Sequence, residues 1–333
     1  DAATLRSELE QLPPSLKRPL LARLDKIVKR VKAALEIEDP LLRASNMTIL
    51  LSSIEWIKLL YNYYSGGDLS PYVTSLVLSI NEGWSVYNSI VSAFYLASAE
   101  ESLELARQLW ERSPEASLYL LAQASIHRLV ADYWSIDEAG IDVDSLERLA
   151  MDVVTEAGHT WSYASIIVSE TRLATMTMDA ASIAYQLAKA YLSSEDYLPA
   201  LMHGLRALSL AEKAIDELTI MQAGKEKGKR LLDYIKGLAL YYTSSVPSQA
   251  STLPILLIGE GEASSDVSTS LLDYRYALNI ARVLQESSLE ARLKNFKYIE
   301  FSSLTTAIIV LILILVVRVI LDLYEKARPA RKS

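Results

Sequence analysis

The sequence predicts an all-α protein: an array or bundle of antiparallel helical hairpins followed by one C-terminal transmembrane helix. Three observations carry that expectation. Apolar residues recur at helical spacing along most of the 333 residues, and alternating, strand-like runs are nearly absent. Proline and glycine fall where helices would start and stop. From Phe301 to Val317 the chain reads FSSLTTAIIVLILILVV, seventeen residues without a charge. At 1.5 Å per residue this stretch covers roughly 26 Å, and running on to Leu321 roughly 32 Å, against a hydrocarbon core of about 30 Å.

Taken in order, a first helical region runs from about Ala3 to Ile37, interrupted near Pro13-Pro14 and Pro19, and Glu38-Asp39-Pro40 breaks it. The next pattern, about Asn46–Tyr64, stops at Gly66-Gly67. Ser70 before Pro71 has the form of an N-cap followed by proline at the first helical position, opening a stretch to about Leu96. Ser113-Pro114 repeats the device for Glu115–Trp134, and Asp144 with Glu147 makes a capping box. Further helices are expected at about Trp161–Leu192, Tyr197–Gln222 and Glu226–Tyr242. Residues 1–243 are thus read as one helical domain.

Residues 244–270, holding VPSQAS, PILLIGEGE and ASSDVSTS, are read as a long irregular loop. Its apolar centre needs a groove, in this chain's own helices or in a partner, so Leu253, Ile255 and Leu256 enter the candidate partner interface. Helical pattern resumes at Leu271 and is expected to run as a membrane-proximal helix, 271–300, into the span 301–321. Ala277, Ala281, Leu284, Ser288 and Ala291 form a narrow seam of mostly small residues along it, suited to close packing against another helix. Phe301, Ile308, Leu311 and Leu315 are the expected anchor, and Arg318 at its end can snorkel to the headgroups.

The tail 322–333 ends in a basic run. After Val317, Arg318, Lys326, Arg328, Arg331 and Lys332 face only Asp322 and Glu325. Basic flanks stay in the cytoplasm, which places the tail inside and the N-terminal domain outside. The start at Asp1 without Met reads as the result of signal-peptide removal. The net charge is −8, and five basic minus two acidic residues give the stretch after Val317 +3, so −11 remains on the rest. So acidic an ectodomain argues against nucleic acid as a partner. The basic stretch Lys17–Lys32 reads as a solvated helix face. With no cysteine, the fold stands on packing without disulfides. The absence of Cys together with sparse Asn and Gln hints at a thermophilic source. Asn46-Met47-Thr48 has the glycosylation acceptor pattern.

Within Ala184–Glu212, AYQLAKAYLSSEDYLPALMHGLRALSLAE resembles one tetratricopeptide repeat. Leu187, Ala188, Tyr191, Ala200 and Ala207 match at the family's spacings. Ala184 stands at a bulky position, Gly204 at an aromatic one and Glu212 at the closing proline. The resemblance implies an antiparallel helix-hairpin array that binds proteins.

Recognisable catalytic chemistry is sparse. Of His127, His159 and His203, only His159 has a glutamate three residues before it (Glu156), and a di-iron bundle would need a second such pair. No nucleophile elbow, phosphate-binding glycine loop or Cys/His cluster is present, so no catalytic, cofactor or metal residue is assigned. Acidic residues stand beside tryptophan at Glu55-Trp56, Glu82-Gly83-Trp84, Trp110-Glu111 and Asp132-Tyr133-Trp134. Paired carboxylates and aromatic faces are the ingredients of sugar-cleaving sites. The leading expectation is a single-pass, membrane-anchored, extracytoplasmic protein-binding or scaffold module of a cell-surface or membrane-associated assembly. Its partners would be the lipid bilayer and other proteins, and self-association stays open. A membrane-tethered glycan-active enzyme is the alternative, and an accessory subunit of an integral membrane complex the third.

Overall fold

The computed structural model describes residues 2–287 apart from 87–88, 135–142, 172–174, 249 and 265, and all regular secondary structure among them is α-helical. In chain order the helices are α1 (Ala2–Leu9), α2 (Pro14–Leu35), α3 (Pro40–Tyr64), α4 (Ser70–Val86), α5 (Ile90–Leu109), α6 (Pro114–Tyr133), α7 (Val143–Thr171), α8 (Thr175–Ser193), α9 (Tyr197–Ala223), α10 (Lys225–Ser245) and α11 (Thr252–Ala263). A twelfth, α12, covers residues 267–287. The chain divides into a unit Asp1–Gln285 and a unit Glu286–Ser333. Only Glu286 and Ser287 of the second fall within the described residues.

Several boundaries differ from the sequence expectation, each for a local reason. The helix expected from Asn46 begins at Pro40, because the Asp39 carboxylate accepts the Leu42 N–H at 3.1 Å and proline at the first position forfeits no hydrogen bond. Pro19 does not stop α2, whose buried face of Leu20, Leu24 and Ile27 holds the helix through it. The stretch expected from Ser70 to Leu96 is two helices, and Ser89 opens the second by accepting the Ser92 N–H. The segment Trp161–Leu192 is the end of α7 and nearly all of α8. Between α8 and α9 the chain reverses through Glu195 at φ 63°, where the Asp196 N–H reaches back to the Tyr191 carbonyl at 3.0 Å.

The read of 244–270 as an irregular loop is corrected. Residues 252–263 form α11, in which Pro254 sits in the first turn, where its missing N–H costs nothing. Leu253, Leu256, Leu257 and Ile258 are all buried, as expected of a helix that is apolar all round.

Two helices run through the interior. α5 gives its first half, Ile90–Ala97, to one core, with α7, α9, α10, α11 and α12. Its second half, with Ala99, Leu103 and Ala106, enters the core formed by α1–α4 and α6. α9 is buried on nearly every side, and at Gly204 α7 comes so close that a Cβ would meet Val153 and Val154 at 3.1 Å. An aromatic residue there, as the repeat resemblance asks, would not fit. No helix among the described residues is long and apolar enough to cross a membrane. The expected span 301–321, with Phe301, Ile308, Leu311, Leu315 and Arg318, lies outside them, as do Ser288 and Ala291 of the seam.

Candidate functional site

Because α5 and α9 are buried, their polar side chains must find partners inside the protein. Along α9, His203, Arg206, Leu210, Lys213 and Glu217 succeed one another at spacings of three and four, one face of a helix. α5 answers with Ser98, Glu100 and Glu101. His203 is fully buried between two carboxylates: Nδ1 lies 2.8 Å from Glu101 and Nε2 3.1 Å from Glu100. The Tyr191 hydroxyl and the Trp84 indole N–H donate to Glu100 at 3.0 Å, and the Tyr191 ring stacks on the imidazole. Burial opposes a charge on His203, but the hydrogen bonds and charges of both glutamates outweigh it and raise its pKa. Burial likewise opposes ionisation of Glu100, and His203, Trp84 and Tyr191 together hold its pKa below the usual carboxylate range.

One turn further, Arg206 donates from Nε to Glu101 at 2.6 Å and from Nη1 to Ser98 at 2.5 Å. Its guanidinium lies 5.0 Å from the Phe94 ring centroid and 4.8 Å from that of Tyr276. Beyond it opens a cavity of about 390 Å³ among α3, α5, α6, α8, α9, α11 and α12. Its mouth is marked by Ile49, Met176 and Thr269, all exposed. Glu260 of α11 and Asp273 of α12 line it. The Tyr95 hydroxyl donates to Glu260 at 3.0 Å. Burial pushes the Glu260 carboxyl up to about 7. Burial and then the Glu260 charge raise Asp273 well above the carboxylate range, against the opposing pull of Lys213 and Arg206. His127, also in the wall, is pushed down to about 4 by burial and by Arg206.

The sequence-selected residues sit elsewhere. Ala277, Ala281 and Leu284 are buried in the chain's own core, with Leu253 and Leu256, so the partner-interface assignment is corrected for these five. Their small or apolar side chains lie in the core that α11 and α12 share with α5, α7, α9 and α10, and α11 also packs against α3. Ile255 is 43 % exposed and stays available. Asn46 is half-buried within α3 and donates its amide to the Leu42 carbonyl at 2.8 Å, while Thr48 is buried, so the glycosylation pattern is not presented as a free acceptor. Among the tryptophan-flanking carboxylates, Glu55 pairs with Lys58 and Tyr72, Asp132 pairs with Arg128, whose charge Glu82 also meets, and Glu82 and Glu111 are exposed. Glu156 pairs with Arg282 at 3.8 Å. Among the described residues no group of three or more His, Cys, Asp or Glu is placed to hold a metal ion.

Sequence reasoning passed over Glu100, Glu101, Arg206, Lys213, Glu260 and Asp273, which lie on four helices and share no local motif. The one available signal was polar: charged residues at core-facing positions of helices that are otherwise apolar. No protein-family model matches the chain, and neither a curated protein nor a solved structure matches it.

Proposed function

We propose that this chain is a membrane-anchored extracytoplasmic binding module, in which an all-helical ectodomain takes a small polar molecule into the cavity and presents a scaffold surface to other proteins. The cavity carries the reading: it is roomy enough for a small ligand and its wall concentrates charged groups whose pKa values are displaced in opposite directions. The anchor in this reading is 301–321, supported by its charge-free length and basic flank. Consecutive packed helices, α5 with α6 and α8 with α9, suit the hairpin array that the repeat resemblance implies.

The test is thermal unfolding of the full chain in mild detergent against a panel of small amines, acids and sugars, with the Ala180→Phe variant in parallel. Ala180 lines the cavity, and phenylalanine there would fill it. At least one compound should raise the midpoint of the wild type and not of the variant. Identical responses across the panel would overturn the cavity reading.

A glycan-active enzyme is the second reading, and the observation favouring it is Glu260. A carboxyl kept protonated near neutrality beside a second carboxyl, with tyrosines in the wall, has the ingredients of acid–base cleavage. Release of reducing sugar from a polysaccharide panel, lost in Glu260→Gln, would select it.

A further inference from the structure

The charges lining the cavity are unequally matched. Arg206 is engaged by Glu101, Ser98 and two aromatic faces. Lys213 stands 3.4 Å from Glu217. His127 is held neutral. Glu260 receives the Tyr95 hydroxyl, has the Ser45 hydroxyl beside it, and forms no ion pair with a described residue. Asp273 forms neither a hydrogen bond nor an ion pair with a described residue, and Lys213 and Arg206 act on it only from a distance. Tyr276, 4 % exposed, lines the same cavity with a hydroxyl that has no hydrogen-bond partner. Among the described residues, then, the cavity holds two carboxyls with no ion pair and a buried hydroxyl with no hydrogen-bond partner, while Arg206 and Lys213 are each paired with a glutamate.

We propose that the Glu260–Asp273 end of this cavity receives the primary ammonium group of a small organic cation, with its hydrocarbon part against Tyr95, Tyr276 and Leu257. The proposal rests on the cavity being a ligand site. An ammonium supplies what the wall lacks, a positive charge carrying three N–H donors. A quaternary ammonium would bring charge without donors, and a carboxylate would meet two like charges. A metal ion would need more converging carboxylate, His or Cys ligands than the described residues offer. Aromatic walls favour the cation a second time, through their ring faces.

The probes are four compounds that share one hydrocarbon chain: n-butylamine, n-butanol, butyrate and butyltrimethylammonium. Each is titrated into the full chain in detergent at pH 8 and followed by calorimetry and thermal midpoint. Butylamine should bind one to one and ahead of the other three. Glu260→Gln and Asp273→Asn should each weaken it at least about thirtyfold, as loss of one partner of a buried charge pair does. Both variants keep side-chain shape, and their circular dichroism should match the wild type. Lowering the pH from 8 to 5.5 should weaken butylamine binding to the wild type, because the Glu260 carboxyl, pushed up to about 7 by burial, takes up a proton over that range while His127, held down to about 4, stays neutral. Unchanged butylamine binding in the double variant would show a non-specific response to the acidic surface and overturn the proposal. Stronger binding of butanol or butyrate, abolished by Ala180→Phe, would overturn the cation class and leave the cavity reading standing. No response to any probe or to the wider panel would overturn both.

Discussion

At the scale of single residues, the account turns on polar groups that two buried helices carry into the core. His203→Ala would leave Glu100 and Glu101 buried without the group between them, and should cost about 3–5 kcal/mol by urea denaturation at neutral pH. The pKa of His203 is raised on folding, so its ionic contribution is full below the ordinary histidine value and fades as pH rises through the higher folded one. Glu260 has the same sign for the opposite reason. Its folded pKa is raised from 4.5 to about 7, so whatever stability its proton confers is full below 4.5 and is lost as pH rises through 7. Glu260→Gln should therefore match the wild type near pH 4.5 and exceed it by about 1–3 kcal/mol at pH 8, where the wild type must bury a charge. Equal stability of the two proteins at pH 8 would mean that Glu260 is solvated. None of these groups was legible locally. His203, Glu100, Glu101, Glu260 and Asp273 meet only in three dimensions, and in the sequence His203 looked like a histidine with no ligand partner on its own helix.

At the scale of elements, helix starts marked by serine before proline were legible, while the starts of α3, α5 and α11 were not. Ser113 before Pro114 and Ser70 before Pro71 announce helices that are there, and Gly66 at φ 77° follows α3 where the sequence expects an end. α11 escaped because a helix apolar on nearly every side shows no periodicity, and its Pro254, Gly259 and Gly261 look like breakers. The α12 seam was recognised as a close-packing stripe, yet a stripe does not say which helix it meets, and here Ala277 and Ala281 meet this chain's own core. Gly204 offers a test of how tightly α7 and α9 approach. Gly204→Ala asks Val153 and Val154 to give by tenths of an ångström and should be mild. Gly204→Phe must push the helices apart and should cost about 1–3 kcal/mol or more in denaturant midpoint. A Phe variant as stable as the wild type would show that the α7–α9 contact is loose.

At the scale of the whole molecule, the all-helical class was fully legible from periodicity, because nearly every segment repeats at helical spacing and almost none alternates. The anchor and its orientation rest on the seventeen uncharged residues and the basic tail. Protease added to intact cells should remove the ectodomain and leave a fragment holding the span and tail, whereas full protection would reverse the orientation. Purification in mild detergent should bring partner proteins along with the chain. The seam residues buried here are not where those partners attach, so Ala281→Glu should unfold the domain instead of releasing them. The central claim is that the cavity between α5, α9, α11 and α12 is a ligand site for an ammonium group. The most direct measurement is a high-resolution structure of the full chain in detergent with n-butylamine at pH 8. The account predicts the amine nitrogen within hydrogen-bond distance of Glu260 and Asp273, with its chain against Tyr95 and Tyr276. A cavity filled by the protein's own side chains, or an amine bound only at the surface, would contradict it.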